Sequence, residues 1–273
     1  TQLKELTFGE CFNQPLSNSL DNLTQLTKLT FGNYFNQPLA NSLNKLIQLK
    51  ELSFGDLFNQ LLSNSLYNLI SLTELTIGYK FNQSLEIPLS VKILTLNCNN
   101  LNLIEYLPNS IEELNLEEYF ELELNNLPNS IKIIRFEKSS DYDKELNNLP
   151  DSLKILYCGK NHIAKISSIP ESLTILDCHS NELWNLDNLK NSTKLLKLCC
   201  NDNKISFLDN LPNGLEKLVC DENEIISLDY LPLSLIKLDC YSNNITSLDL
   251  LPNNLEVLFC GKNKIKSFLN MNF

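Results

Sequence analysis

The pentapeptide FNQPL stands at Phe12 to Leu16 and again at Phe35 to Leu39, and it returns as FNQLL from Phe58 and FNQSL from Phe81. Its period is 23 residues. A catalytic motif is needed once, whereas a segment repeated at constant spacing solves one packing problem many times, so the repeat speaks first of architecture. Around it runs a longer ladder of apolar pairs two residues apart. These are Leu6 and Phe8, Leu29 and Phe31, Leu52 and Phe54, Leu75 and Ile77, Leu94 and Leu96, Leu114 and Leu116, and Ile134 and Phe136. They continue as Leu156 and Cys158, Leu176 and Cys178, Leu198 and Cys200, Leu218 and Cys220, Leu238 and Cys240, and Leu258 and Cys260. The chain thus holds 13 repeats, spaced by 23 residues through the first four and near 20 afterwards, with two 22-residue steps. Alternate residues of a strand face opposite ways, so each unit, read L-x-x-L-x-(L/F/C), buries one set of side chains and exposes the next.

The pattern predicts an α/β repeat fold, a leucine-rich-repeat solenoid with one short strand per turn, stacked in parallel into a curved sheet. A single solenoid is expected over residues 1–273, with 23-residue units over 1–90 and mostly 20-residue units over 91–273. In the long units the return SNSLDNLTQL spaces Leu20, Leu23 and Leu26 three apart, which leaves room for a short helical turn. In the short units a Leu-Pro step opens the return; proline fixes φ and drives its predecessor extended, so a polyproline-like or 3₁₀ path is expected. The return side should therefore be mostly non-helical.

The first four units, with LTFG at Leu6 to Gly9 and Leu29 to Gly32 followed by FNQPL and NSL, resemble FNIP repeats of social amoebae and giant DNA viruses. Units such as LPNGLEKLVCDENEI (Leu211 to Ile225) and LPLSLIKLDCYSNNI (Leu231 to Ile245) resemble the 20-residue leucine-rich repeats of bacterial effectors. Together the two resemblances span nearly the whole chain. They imply a solenoid that recognises a protein partner. Viral FNIP proteins often carry an F-box ahead of the repeats, so the resemblance also implies a substrate adaptor of a ubiquitin ligase and a virus–host contact, although no F-box is visible here. A structural or packaging solenoid without a transient partner is the alternative from another class.

Composition narrows the remaining choices. A hydrophobic content of 43% supplies a core, and no run of 18 or more apolar residues is present to span a bilayer. The formal net charge is −11, which argues against nucleic acid as a partner, because phosphate contacts need clustered Lys and Arg. The expectation is a monomeric cytoplasmic protein, in the host cytoplasm if viral, with a protein partner and no membrane contact.

Candidate chemistry is sparse. Of nine cysteines, Cys158, Cys178, Cys200, Cys220, Cys240 and Cys260 fall at one inward position of successive repeats. A line of parallel thiols is neither a tetrahedral zinc site nor a set of disulfides, so they read as small buried hydrophobes in a reducing compartment. Cys199, one residue out of phase, is expected to face outward and react first. His162 and His179 lie beside no plausible nucleophile in sequence, and GKN at Gly159 and Gly261 lacks the rest of a phosphate loop, so no catalytic or cofactor-binding residue is assigned and an enzyme is not expected. The run Glu112, Glu113, Glu117, Glu118, Glu121 and Glu123 matches no calcium loop and reads as a solvated acidic face. Asn13, Asn36, Asn59 and Asn82, and later Asn161, Asn181, Asn203, Asn223, Asn243 and Asn263, read as side-chain ladders that satisfy turn backbone. Asn82, one of four sequons, is expected inside that ladder, where no glycan would fit.

What differs between repeats marks the candidate binding face. The outward strand positions include Arg135, Tyr157 and Asp177, and then a column of Lys197, Lys217 and Lys237 beside Asp221, Asp239, Tyr241 and Phe259. Stacked lysines repel, so carboxylates are expected either alongside them or on a partner. Tyr, Phe and Arg are enriched where interfaces concentrate their energy, which makes these ten residues the predicted partner-binding set.

Overall fold

The computed structural model describes residues 2–62, 65–117, 120–136 and 141–266. The chain forms two compact units, Thr1–Ile131 and Lys132–Phe273. In the first, strands β1 (Glu5–Thr7), β2 (Lys28–Thr30), β3 (Glu51–Ser53), β4 (Glu74–Ile77), β5 (Ile93–Leu96) and β6 (Glu113–Leu116) pair in parallel in chain order. In the second, β7 (Ile133–Phe136), β8 (Ile155–Tyr157), β9 (Ile175–Asp177), β10 (Lys197–Cys199), β11 (Lys217–Val219), β12 (Lys237–Asp239) and β13 (Val257–Phe259) do the same. Every strand falls on a rung of the predicted ladder, and the fold is that of a leucine-rich-repeat solenoid. The register is set by the buried middle residue: Leu29, Leu52 and Leu75 stack on one another, as do Leu176, Leu198, Leu218 and Leu238. A one-residue slip would turn these leucines to water and the charged residues inward.

The core of the first unit is a double phenylalanine spine. Within a repeat Phe8, Phe31 and Phe54 stack on Phe12, Phe35 and Phe58 with ring centroids 4.1–4.2 Å apart. Between repeats the spacing is 5.4–6.2 Å, with Phe81 closing the second column. Burial of each ring is worth about 1.5–3 kcal/mol, and each stacked pair adds about 0.5–1.5 kcal/mol. The motif's Phe is therefore half of a pair whose other half is the strand's last inward residue. Between the two lies a tight turn. At Gly32, Gly55 and Gly78 an added Cβ would lie 2.2–2.6 Å from backbone atoms of the preceding coil, so only glycine lets the coils approach this closely.

The long returns are not helical. Bonds from Ser19 N–H to the Leu16 carbonyl, Leu23 N–H to Leu20 and Leu26 N–H to Leu23, each 2.9 Å, make consecutive turns whose leucines point inward. The predicted helical turn does not form in them, because a three-residue apolar spacing is met equally well by a chain of such turns. Among the described residues, helix is confined to α1 (Leu101–Glu105) and a 3₁₀ segment at Asp187–Asn191. In the short units the proline carbonyl closes the turn, as from Leu153 N–H to Pro150 and Leu173 N–H to Pro170, both 3.0 Å.

From β8 onward the position held by Phe8 or Phe31 passes to cysteine, and Ile163, Ile205, Ile225 and Ile245 fill the turn. Each repeat from β8 to β13 sets one residue in the left-handed region, with φ between 49° and 57° at Lys160, Ser180, Asp202, Glu222, Ser242 and Lys262. That reversal aims the following asparagine back into the core. Asn223 shows the consequence. Its amide nitrogen donates to the carbonyls of Cys200, Cys220 and Asp221 at 2.9–3.1 Å, and its oxygen accepts from Ile205 N–H at 3.0 Å. Asn181, Asn203 and Asn243 repeat the arrangement.

Candidate outward face of the second unit

Strand alternation places three columns of side chains on the outward face of the second unit. The first runs Ile133, Ile155, Ile175, Lys197, Lys217, Lys237 and Val257 in register. The second runs Arg135, Tyr157, Asp177, Cys199, Val219, Asp239 and Phe259. A third lies two residues beyond each strand and carries Gly159, His179, Asp221, Tyr241 and Gly261. All ten predicted residues thus lie in these columns, none of them in the core.

Of the two expected sources of compensating carboxylates, the chain itself or a partner, the first is not found: among the described residues no carboxylate lies at ion-pair distance from Lys197, Lys217 or Lys237. The aspartates are engaged elsewhere. Asp177 accepts from His179 N–H at 3.3 Å and lies 2.6 Å from the His179 ring, and Asp239 accepts from Tyr241 N–H at 3.3 Å. Short carboxylates capping their own turn cannot also reach a strand-centre ammonium. Asp221 is held above the usual carboxylate range, first by burial and then by the charge of Asp239, so the acidic side of the face repels itself. Three cations of the face lie over rings: Arg135 is 4.6 Å from the centre of Tyr157, Lys237 5.6 Å from Phe259 and Lys262 5.2 Å from Tyr241.

Sequence reasoning passed over two residues of this face. His179 was weighed only as a catalyst, although its spacing from Cys178 puts it in phase with Asp221 and Tyr241; its ring covers Gly159, where a Cβ would lie 2.2 Å from it. Val257 continues the lysine column and lies exposed beside Phe259.

The cysteines need two corrections, one of them at Cys260, which was expected in the buried column and is only partly buried at its end. Cys158, Cys178, Cys200, Cys220 and Cys240 are buried, and burial pushes their thiols up, that of Cys240 to about 12. Cys199 is only half-exposed, and burial followed by the charge of Asp177 raises its thiol too. The exposed cysteine is Cys11, in the first unit, and it takes the place predicted for Cys199 as the most accessible thiol. Asn82 is corrected as well, since it is exposed rather than enclosed. Its own backbone N–H donates to Asn59, and its side chain stands at the rim of the ladder. Of the glutamate run, Glu118 lies outside the described residues. No group of three or more His, Cys, Asp or Glu side chains among the described residues is placed to hold a metal ion. No helix among them is long and apolar enough to cross a membrane.

Comparison with known proteins agrees with this architecture. Residues 81–119 match the model of the FNIP repeat. The circular leucine-rich-repeat protein CroV588 superimposes with a TM-score of 0.74 at 29% identity, covering 94% of this chain and 40% of that one. YopM from Yersinia enterocolitica gives 0.58 at 22% identity over 96% of this chain and 65% of its own. TLR13, solved in complex with ssRNA13, gives 0.67 at 16% identity over 97% and 52%. The chain therefore spans less than two thirds of each of these structures. No curated protein sequence matches it.

Proposed function

We propose that the outward face of the second unit is a protein-recognition surface, in which Lys197, Lys217 and Lys237 meet carboxylates of a partner. Arg135, Tyr157, Tyr241 and Phe259 frame the contact, and Asp177, Asp221 and Asp239 fix its polarity. The observation that carries this reading is the lysine column itself. Three ammonium groups share one register with no carboxylate among the described residues at ion-pair distance, in a protein of net charge −11. Neighbouring strands are about 4.8 Å apart, where two like charges repel by about 1 kcal/mol even in water. A surface selected only for solubility would interleave the signs. Here the three lysines share one column, while Asp177 and Asp239 lie in the next and Asp221 beyond it, which suits steering of a partner with the opposite pattern.

A substrate-adaptor role in ubiquitination is the finer form of this proposal and rests on the resemblance to FNIP proteins. The nine free thiols favour a reducing compartment such as the cytoplasm. The test is capture from host lysate. Lys217→Glu is expected to weaken it in a salt-sensitive way and Tyr241→Ala to weaken it at all salt concentrations, while each moves stability by no more than about 0.5 kcal/mol. Asn213→Glu, on the return side, is expected to leave capture intact. A partner indifferent to both outward-face changes would refute the assignment.

A further inference from the structure

The return side of the first unit carries a second, unrelated feature. At the strand ladder the spacing drops from 23 residues to 19 between Leu75 and Leu94. The last long return, described over 65–72, therefore lies against a shorter one, 84–90, and the mismatch opens a groove of about 770 Å³. Its walls include Tyr67, Ile70, Leu89 and Tyr106, which are 72–83% exposed.

Architecture does not require these apolar residues. The position of Tyr67 is Asp21 and Asn44 in the two preceding repeats, and that of Ile70 is Thr24 in the first and Ile47 in the second. Leu89 stands where the next two repeats have Asn109 and Asn129, and Tyr106 where the next has Asn126. At Tyr67, Leu89 and Tyr106 the polar residue of the neighbouring repeats is thus replaced by a large apolar one, and Ile70 extends the patch. A contiguous patch of this kind is what protein-binding surfaces expose.

Charge identifies the occupant. Glu86 lines the groove, and the returns 62–72, 84–90, 101–110 and 120–130 hold Glu86, Glu105, Glu121 and Glu123 without one Lys or Arg. Residues 1–131 carry six lysines against fourteen Asp and Glu. We infer that this groove is a docking site for a short cationic, apolar peptide segment of another protein. Such a segment would place large apolar side chains among Tyr67, Ile70, Leu89 and Tyr106, with Lys or Arg toward Glu86 and Glu105. A second copy of this chain would bring the same acidic returns and is disfavoured. The site is independent of the outward face of the second unit.

The test is a displayed library of short random peptides selected on the intact protein and counter-selected on the double variant Ile70→Asn, Leu89→Asn. Both positions are exposed, so the variant keeps its fold, which circular dichroism checks. Enriched peptides are expected to combine two or more large apolar residues with Lys or Arg. Synthesised and labelled, they are expected to lose at least about tenfold in affinity on the double variant. Glu86→Gln should weaken them about threefold at low salt and less at high salt. Enrichment of neutral or acidic peptides, equal binding to the double variant, or no enrichment would each overturn the inference. Self-association of the wild type that the double variant abolishes would overturn it too, by giving the groove to a second copy.

Discussion

The two units meet the same requirement with opposite materials. Each must fill the turn after the strand and satisfy the backbone groups that the turn leaves outside the ladder. The FNQ repeats of the first unit fill it with paired phenylalanines and keep their asparagines at the margin, where Asn36 is half-buried and its oxygen accepts from Asn59 N–H at 2.9 Å and Gln60 Nε2 at 3.0 Å. The second fills it with cysteine and isoleucine, smaller side chains that leave space for the asparagine itself to enter the core. Apolar volume and polar satisfaction are thus exchanged for one another. The rings exclude the amide, and where they are absent the amide becomes the centre of the turn. The same asparagine-rich composition is rim decoration in one unit and buried scaffold in the other.

The largest difference should appear at alkaline pH. A thiol whose folded value lies above its ordinary 9.0 keeps its proton in the folded chain while the unfolded chain loses it. Its contribution is complete below about pH 9 and is lost as pH rises toward the folded value. Each buried thiol then removes about 1.4 kcal/mol of stability per pH unit, and the second unit buries five. In the first, Cys98 is the buried thiol, pushed up to about 11. Urea unfolding at pH 8 and pH 10 is expected to show a steep loss, made shallower by Cys220→Val. A pH-independent midpoint would mean that the column is not buried as described.

Asparagine substitution sharpens the contrast at a smaller scale. Asn223→Ala leaves the buried Ile205 N–H without its acceptor, while the carbonyls of Cys200, Cys220 and Asp221 each keep a second donor, and should cost up to about 3 kcal/mol. Asn36→Ala exposes its former partners to water and should cost about 1 kcal/mol. Equal costs would erase the distinction between rim and core ladders. In native protein a thiol reagent should modify Cys11 first and Cys199 more slowly, reaching the column only in denaturant. The smallest effect is expected at Asp221, where burial and Asp239 disfavour the carboxylate. Asp221→Asn should raise stability by up to about 0.5 kcal/mol at neutral pH. Because the folded value is raised, that gain should vanish as pH falls through it and the wild-type side chain becomes neutral.

Amino-acid order alone determined the strands, their number and their register, since the alternation of Leu6 and Phe8 or Leu218 and Cys220 leaves one way to bury an apolar face. It also placed the ten outward residues, because period two fixes which side chains leave the sheet. It did not reveal that Phe12 pairs with Phe8, that Asn82 is exposed while Asn223 is buried, or that the aspartates cap their own turns and leave the lysines without partners. Nor did it show the groove between Ile70 and Leu89. Each of these depends on distances between coils, and such distances follow from how much volume neighbouring repeats leave for one another. A pattern along one chain carries periodicity, but only the stacked coils decide which space remains and which polar group is close enough to fill it.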